Sequence, residues 1–141
     1  MQTKRVLFLC TGNTARSQMA EAFLNQAGHP GIEAYSAGLE PSVVNPLTIK
    51  VMHEKGVDLS EARSKSVTEF LNKVFIHQLI TVCSQAEKNC PAIWPGVLKV
   101  EHWAFDDPAA AQGSEEERLQ VFRRVRDEIE LTIKEWLAAQ E

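Results

Sequence analysis

The residues that could do chemistry begin with Cys10-Thr-Gly-Asn-Thr-Ala-Arg16-Ser17, set directly after the apolar run Val6-Leu7-Phe8-Leu9. The thiol and the guanidinium stand at the two ends of a short stretch, long enough for the backbone to curl so that successive N–H groups point inward. A concave ring of donors with a positive charge is a receptor for a tetrahedral oxyanion. A thiol at the floor of that ring is favoured as thiolate and becomes a nucleophile, and Ser17 can donate to it beside the dipole of a following helix. Thr11, Gly12, Asn13, Thr14, Ala15 and Arg16 are therefore the candidate binding residues, with Cys10 and Ser17 the candidate chemistry. The competing description is a buried cysteine with Arg16 solvated on a helix. It leaves unexplained why turn-permissive Gly12 and Asn13 accompany the arginine.

An anion-cleaving site also needs an acid to protonate the departing oxygen, a task within reach of a carboxyl beside a bound anion. Asp106-Asp107-Pro108 offers two. On its own, Asp-Pro signals only a turn or a helix start.

Cys83 and Cys90 are the remaining thiols. A hydrolase needs only the first thiol, because water completes its reaction. A reductase needs two electrons, and thiols supply them by ending as a disulfide. Cys83 follows the apolar run Leu79-Ile-Thr-Val82 at the expected carboxyl end of a strand, so it could face Cys10. Cys90 lies in a Pro-bounded stretch that could fold back onto Cys83. A zinc site fits poorly, since the gap between Cys83 and Cys90 is not metal spacing and His102 is the only plausible nearby ligand. Incidental, partly exposed thiols would be a liability. His29, His53 and His77 fall in a turn, a helix and a strand entrance, where solvation or hydrogen bonding accounts for them. Trp94, Trp103 and Trp136 are expected to pack, with Trp94 also placed to help a partner dock beside Cys90.

Strand and helix signals alternate along the chain, which predicts an α/β fold, an open sheet of about four parallel strands covered on both faces. Strands are expected over residues 5–9, 32–36, 79–82 and 98–103. Helices are expected over 16–27, from Asn45-Pro46 to a stop at Gly56, weakly over 66–73, and after the Ser114-Glu-Glu-Glu117 capping box, where Leu119, Phe122, Val125, Ile129, Ile133 and Trp136 form one stripe. Residues 84–96 read as a loop. The stretch after Cys10 then sits at a strand's carboxyl end, where doubly wound sheets bind ligands.

The chain has 141 residues, room for one domain over residues 1–141 and too few to expect two. Its net charge of −4 argues against a nucleic-acid partner. No apolar stretch approaches the length of a membrane span, and Met1-Gln-Thr-Lys-Arg leads into too few apolar residues for a secretory leader. A cytoplasmic, reducing setting and a monomer are the expectations, and three cysteines there call for a chemical rather than a stapling role.

Cys-x5-Arg-Ser after a strand resembles the low-molecular-weight protein tyrosine phosphatase fold. The longer string Cys10 to Glu21 is similar to the branch of that fold formed by thioredoxin-coupled arsenate reductases, and the likeness extends through Tyr35-Ser-Ala-Gly38, Thr81-Val-Cys83, Asn89-Cys90-Pro91, Glu101 to Pro108 and Arg124 to Glu128. The resemblance implies a three-layer sheet flanked by helices and Asp107 as the general acid, with Asp106 left to cap or hydrogen-bond its loop. It also implies arsenate as substrate, no bound cofactor, and reducing equivalents from thioredoxin or a similar small dithiol protein. Some members bind potassium through residues matching Asn13, Glu21 and Ser36 plus an acid where this chain has Lys65, so here the ammonium is expected to replace the ion and no metal is expected. Two other functions share parts of the pattern. A small phosphatase would use Cys10, Arg16 and Asp107 and make Cys83 and Cys90 dispensable, although the tyrosines usual after the Asp-Pro of tyrosine phosphatases are missing. A non-catalytic oxyanion sensor would need neither Asp107 nor the extra thiols.

Overall fold

A computed structural model describes residues 3–83 and 94–140. Four strands, β1 (Lys4–Cys10), β2 (Ile32–Gly38), β3 (Gln78–Thr81) and β4 (Lys99–His102), pair in parallel in the order β2-β1-β3-β4. β1 is central, and buried from Val6 to Cys10, because its side chains are apolar on both sides of the pleat. In register, Leu9 pairs with Ala37 and with Thr81, and Cys10 pairs with Gly38. The carboxyl ends of β1, β2 and β3 are thus level, which sets one edge of the sheet for a site.

Three helices cover one face: α1 (Arg16–Gln26), α2 (Pro46–His53) and α3 (Glu115–Ala138). Val6, Phe8 and Ile80 pack there against Met19, Phe23, Val51, Phe122, Val125 and Ile129. Each such large side chain removed from water contributes about 1.5–3 kcal/mol before its ordering cost. Leu7, Leu9, Ala37 and Leu79 point the other way, into a smaller cluster with Ile76, Trp94, Val67 and Phe70. Trp94 is buried within it, a packing role that removes it as an exposed docking residue.

Local chemistry explains the element ends. Asn45 caps α2 by accepting from Leu47 N–H at 2.9 Å, and Pro46 occupies the first turn, where no N–H is needed. Ser114 and Glu117 form the expected reciprocal capping box on α3. The segment from Ser66 differs from the helix expected over 66–73. Ser66 and Glu69 start a turn of 3-10 helix at Val67–Glu69, but Asn72 adopts φ +62° and the chain turns away. Val67, Phe70, Leu71 and Val74 pack on the smaller cluster, but the backbone makes turns and does not continue as a helix. Among the described residues no helix is long and apolar enough to cross a membrane.

Candidate active site

The loop from Thr11 to Ala15 joins β1 to α1, and its shape follows from where its carbonyls go. Thr11 C=O accepts from Glu40 N–H at 2.9 Å, Gly12 C=O from Ser42 N–H at 3.4 Å, and Thr14 C=O from Asn45 N–H at 3.1 Å. Asn13 C=O accepts from Ser64 Oγ at 2.8 Å, and Ala15 C=O from Met19 N–H within α1. Across a trans peptide the N–H points opposite to the preceding C=O, and no peptide is cis. Five carbonyls turned outward therefore turn the N–H groups of residues 12–16 inward. Asn13 N–H already points at Cys10 Sγ, 3.2 Å away. Ala15, at the N-cap of α1, has no polar side chain to engage the first helical amides. The result is an amide nest at a helix N-terminus, a receptor for an oxyanion.

The left-handed residue of the loop is Asn13, at φ +53°, and not Gly12. Asn tolerates that conformation, and the surrounding bonds hold it there. Gly38, not among the candidate site residues read from the sequence, lets the end of β2 lie directly against the loop. A Cβ on Gly38 would meet Thr11 O at 2.7 Å, Asn13 N at 2.9 Å and Gly12 C at 3.0 Å, all backbone. The Tyr35-Ser-Ala-Gly38 string carried that signal, but only the β1–β2 pairing shows what the glycine faces.

Cys10 is buried and a free thiol. Its Sγ lies 2.8 Å from Ser17 Oγ, and Ser17 Oγ lies 2.7 Å from Asn13 Nδ2. Arg16 is buried at the first position of α1, where its guanidinium contacts the carbonyls of Phe105 at 3.2 Å and Val82 at 3.4 Å. Its Nη2 approaches Asp107 Oδ2 at 3.7 Å. The candidate nucleophile, the guanidinium and the candidate acid thus converge on the same sheet edge.

Asp107 faces Arg16 as expected of the candidate acid, but it also takes the capping role expected of Asp106. Asp107, not Asp106, caps the short turn Pro108–Ala110, accepting from Ala109 N–H at 3.0 Å, while its other oxygen faces Arg16. Asp106 points away and pairs with Arg124 of α3 at 3.2 Å. Proline fixes the reason: Pro108 occupies the first position of the turn, so the residue before it takes the cap.

Cys83 is fully buried two residues past β3, in the same cluster as Cys10 and on its side of the sheet, with Sγ 4.0 Å from the carbonyl of Leu9. It is disulfide-bonded. Cys90, like the rest of residues 84–93, falls outside the described residues. His77 accepts from Arg5 N–H at 3.0 Å, and His102 hydrogen-bonds Thr81 through Nδ1. Both are accounted for without a metal. Among the described residues no three His, Cys, Asp or Glu gather closely enough to hold a metal ion. Behind the loop, Lys65 Nζ stands 3.3 Å from Glu21 Oε1, which also accepts from Ser36 Oγ at 2.6 Å.

A cysteine and an arginine sharing an amide nest at the end of a central parallel strand, with an aspartate opposite, define the class of small cysteine-dependent oxyanion enzymes with an open α/β sheet. Residues 5–141 match the low molecular weight phosphotyrosine protein phosphatase family, and the chain belongs to it. An arsenate reductase of Shouchella clausii is 45% identical over 137 residues, covering 96% of both chains. A solved arsenate reductase in its phosphate-binding state superposes with a TM-score of 0.80 at 32% identity, covering 97% of this chain and 98% of that one. The thioredoxin-dependent arsenate reductase of Corynebacterium glutamicum superposes with a TM-score of 0.72 at 26% identity, over 98% of this chain and 62% of that one.

Proposed function

We propose that this protein reduces arsenate to arsenite with three thiols and is regenerated by thioredoxin. The observation that carries the reading is the ring of outward carbonyls from Thr11 to Ala15, which aims the amides at the space above Cys10 Sγ. Arsenate seats in that nest with Arg16 bidentate to its oxygens. Cys10 thiolate forms a bond to arsenic as one oxygen leaves, protonated by Asp107. Cys83 thiolate then attacks Cys10 Sγ. The electron pair of the sulfur–arsenic bond stays on arsenic, so arsenite departs and a Cys10–Cys83 disulfide remains. Cys90 attacks Cys83 Sγ, freeing Cys10 and leaving the disulfide between Cys83 and Cys90 for an external dithiol to reduce. The Cys83 step is the two-electron reduction of arsenic, and the Cys90 step is an ordinary thiol–disulfide exchange.

Three observations support this sequence. Cys83 shares a buried cluster with Cys10 on one side of the sheet. Cys10, the thiol that attacks arsenate in this sequence, is free. The arsenate reductase of Shouchella clausii matches this chain over 96% of both lengths, and a longer structural neighbour, of which this chain spans 62%, is a thioredoxin-dependent arsenate reductase. A monomer working in the reducing cytoplasm fits a thioredoxin partner. Phosphoester hydrolysis would use Cys10, Arg16 and Asp107 but gives Cys83 and Cys90 no role.

The test is NADPH consumption with thioredoxin and thioredoxin reductase, run with and without arsenate beside a phosphoester hydrolysis control. Arsenate-dependent consumption is expected. Brisk hydrolysis with no arsenate-dependent consumption would make the chain a phosphatase.

A further inference from the structure

We infer that Gln18 is a positioning residue that, together with Lys65 N–H, holds the direction of proton donation along Asn13 and Ser17 to Cys10. The inference rests on Cys10 being the nucleophile of the proposed reaction. It follows from which atoms in this buried cluster have no freedom to exchange roles.

Side-chain amides can be turned end over end, so their orientation has to come from partners of fixed character. Backbone groups are such partners. Asn13 Oδ1 lies 2.8 Å from Lys65 N–H, which can only donate, so the oxygen of Asn13 must face it. The terminal atom of Gln18 lies 2.9 Å from Arg63 C=O and 3.3 Å from Asn13 C=O, which can only accept, so it must be the nitrogen. That nitrogen also reaches Asn13 Oδ1 at 3.0 Å and reinforces the same orientation.

The consequence passes along the chain of contacts. With its oxygen held by Lys65 N–H and Gln18, Asn13 presents Nδ2 to Ser17 Oγ at 2.7 Å, and Ser17 must accept. A hydroxyl has one hydrogen. Since Ser17 accepts from Asn13, that hydrogen is directed to Cys10 Sγ at 2.8 Å. Sγ thus receives two donors, Ser17 O–H and Asn13 N–H, an arrangement that suits thiolate. Were Asn13 reversed, its oxygen would take the Ser17 hydrogen and Cys10 would lose a donor. Gln18, Asn13 and Ser17 are all buried, so water does not substitute for a misdirected bond. The charged groups around the cluster are Arg16 of α1, Asp107 before Pro108, and Lys65 paired with Glu21. A neutral substitution at Gln18 leaves each in place.

The experiment reads Cys10 alone. In a Cys83→Ser, Cys90→Ser background, the rate of Cys10 alkylation by iodoacetamide is followed against pH, with melting temperature as a folding control. Gln18→Met, neutral and of similar size, should slow alkylation near neutral pH about threefold to tenfold and move the profile to higher pH. In a Ser17→Ala background the same substitution should change the rate less than about twofold, because the hydroxyl through which Gln18 acts is gone. An unchanged profile in folded Gln18→Met, or an equal loss with and without Ser17, would overturn the assignment. Should Gln18→Met not fold, Gln18→Leu, also neutral and without a donor, is read through the same pair of backgrounds, with the same two outcomes. Alkylation needs no arsenate, so failure here and failure of arsenate reduction are separate results.

Discussion

Asp107 holds two relationships at once, with one oxygen 3.7 Å from Arg16 Nη2 and the other accepting from Ala109 N–H at 3.0 Å. The cap fixes the carboxyl against its own turn, and the guanidinium draws it to the nest. Asp107→Asn keeps a capping side chain and removes the proton donor. It should lower kcat for arsenate about a hundredfold or more with a modest change in KM, as expected for lost general-acid catalysis. A fall in KM-dependent binding alone would place Asp107 in substrate holding instead.

The order of sulfur transfer predicts graded losses. Cys10→Ser should abolish arsenite formation. Cys90→Ser should release about one arsenite per protein and stop, with Cys10 and Cys83 joined, as single-turnover quantitation and mass spectrometry of the quenched protein would show. Sustained thioredoxin-dependent turnover by Cys90→Ser would contradict the final exchange.

The strands and the long helix were legible because burial imposes a period. Val6 to Leu9 and Leu79 to Val82 are apolar on both faces of the pleat, and Leu119 to Trp136 form one helical stripe. The pairing of Cys10 with Arg16 and Ser17 was legible because those residues are close in sequence. What holds the loop was not. Ser64, Lys65, Gly38 and Glu40 reach it only through the strand order β2-β1-β3-β4 and the isolated pairing of Gly38 with Ser66. The extension of β1 to Cys10 and of β2 to Gly38, beyond the apolar runs, has the same origin: a parallel partner supplies what local pattern does not. The helix expected over 66–73 is only a 3-10 turn at Val67–Glu69, because Asn72 at φ +62° ends any helical continuation, and helical spacing in the sequence does not reveal that turn.

Gly38→Ala tests the tertiary part of that picture. Its Cβ would stand under 3.0 Å from two backbone atoms of the loop, neither at the end of a flexible side chain. The loop must shift, costing about 2 kcal/mol or more in stability and spreading the amide nest. Chemical denaturation should show the loss, and phosphate or arsenate affinity should fall further than stability alone explains. Unchanged anion affinity in a folded variant would show that the nest does not depend on this contact.

Lys65 makes a prediction about ions. Its ammonium stands 3.3 Å from Glu21 Oε1 and 3.4 Å from Arg63 C=O, so the Glu21 and Ser36 pair already faces a positive charge. A potassium ion there would have to displace it against like-charge repulsion. Arsenate reduction should run at the same rate in potassium and sodium chloride at equal ionic strength. A clear preference for potassium would mean that Lys65 swings away and leaves the carboxylate to the metal.

The last prediction concerns the junction of α2 and α3 and separates stability from chemistry. Glu54, just past α2, accepts from Arg123 at 2.8 Å and from Arg126 at 2.7 Å. The Arg123 hydrogen bonds foremost, with Arg126 adding to them, hold its carboxyl at about 2 against an ordinary 4.5. A carboxyl depressed on folding stabilises the fold above its unfolded value and loses that contribution as pH falls from 4.5 toward about 2. Because Glu54 remains partly solvated, screening cuts the gain to about 1 kcal/mol. Glu54→Gln should therefore lower unfolding stability by about 1 kcal/mol at neutral pH and by almost nothing at about pH 2. Urea unfolding of both proteins across that range measures the difference directly, and a constant gap at every pH would assign the loss to packing instead of charge.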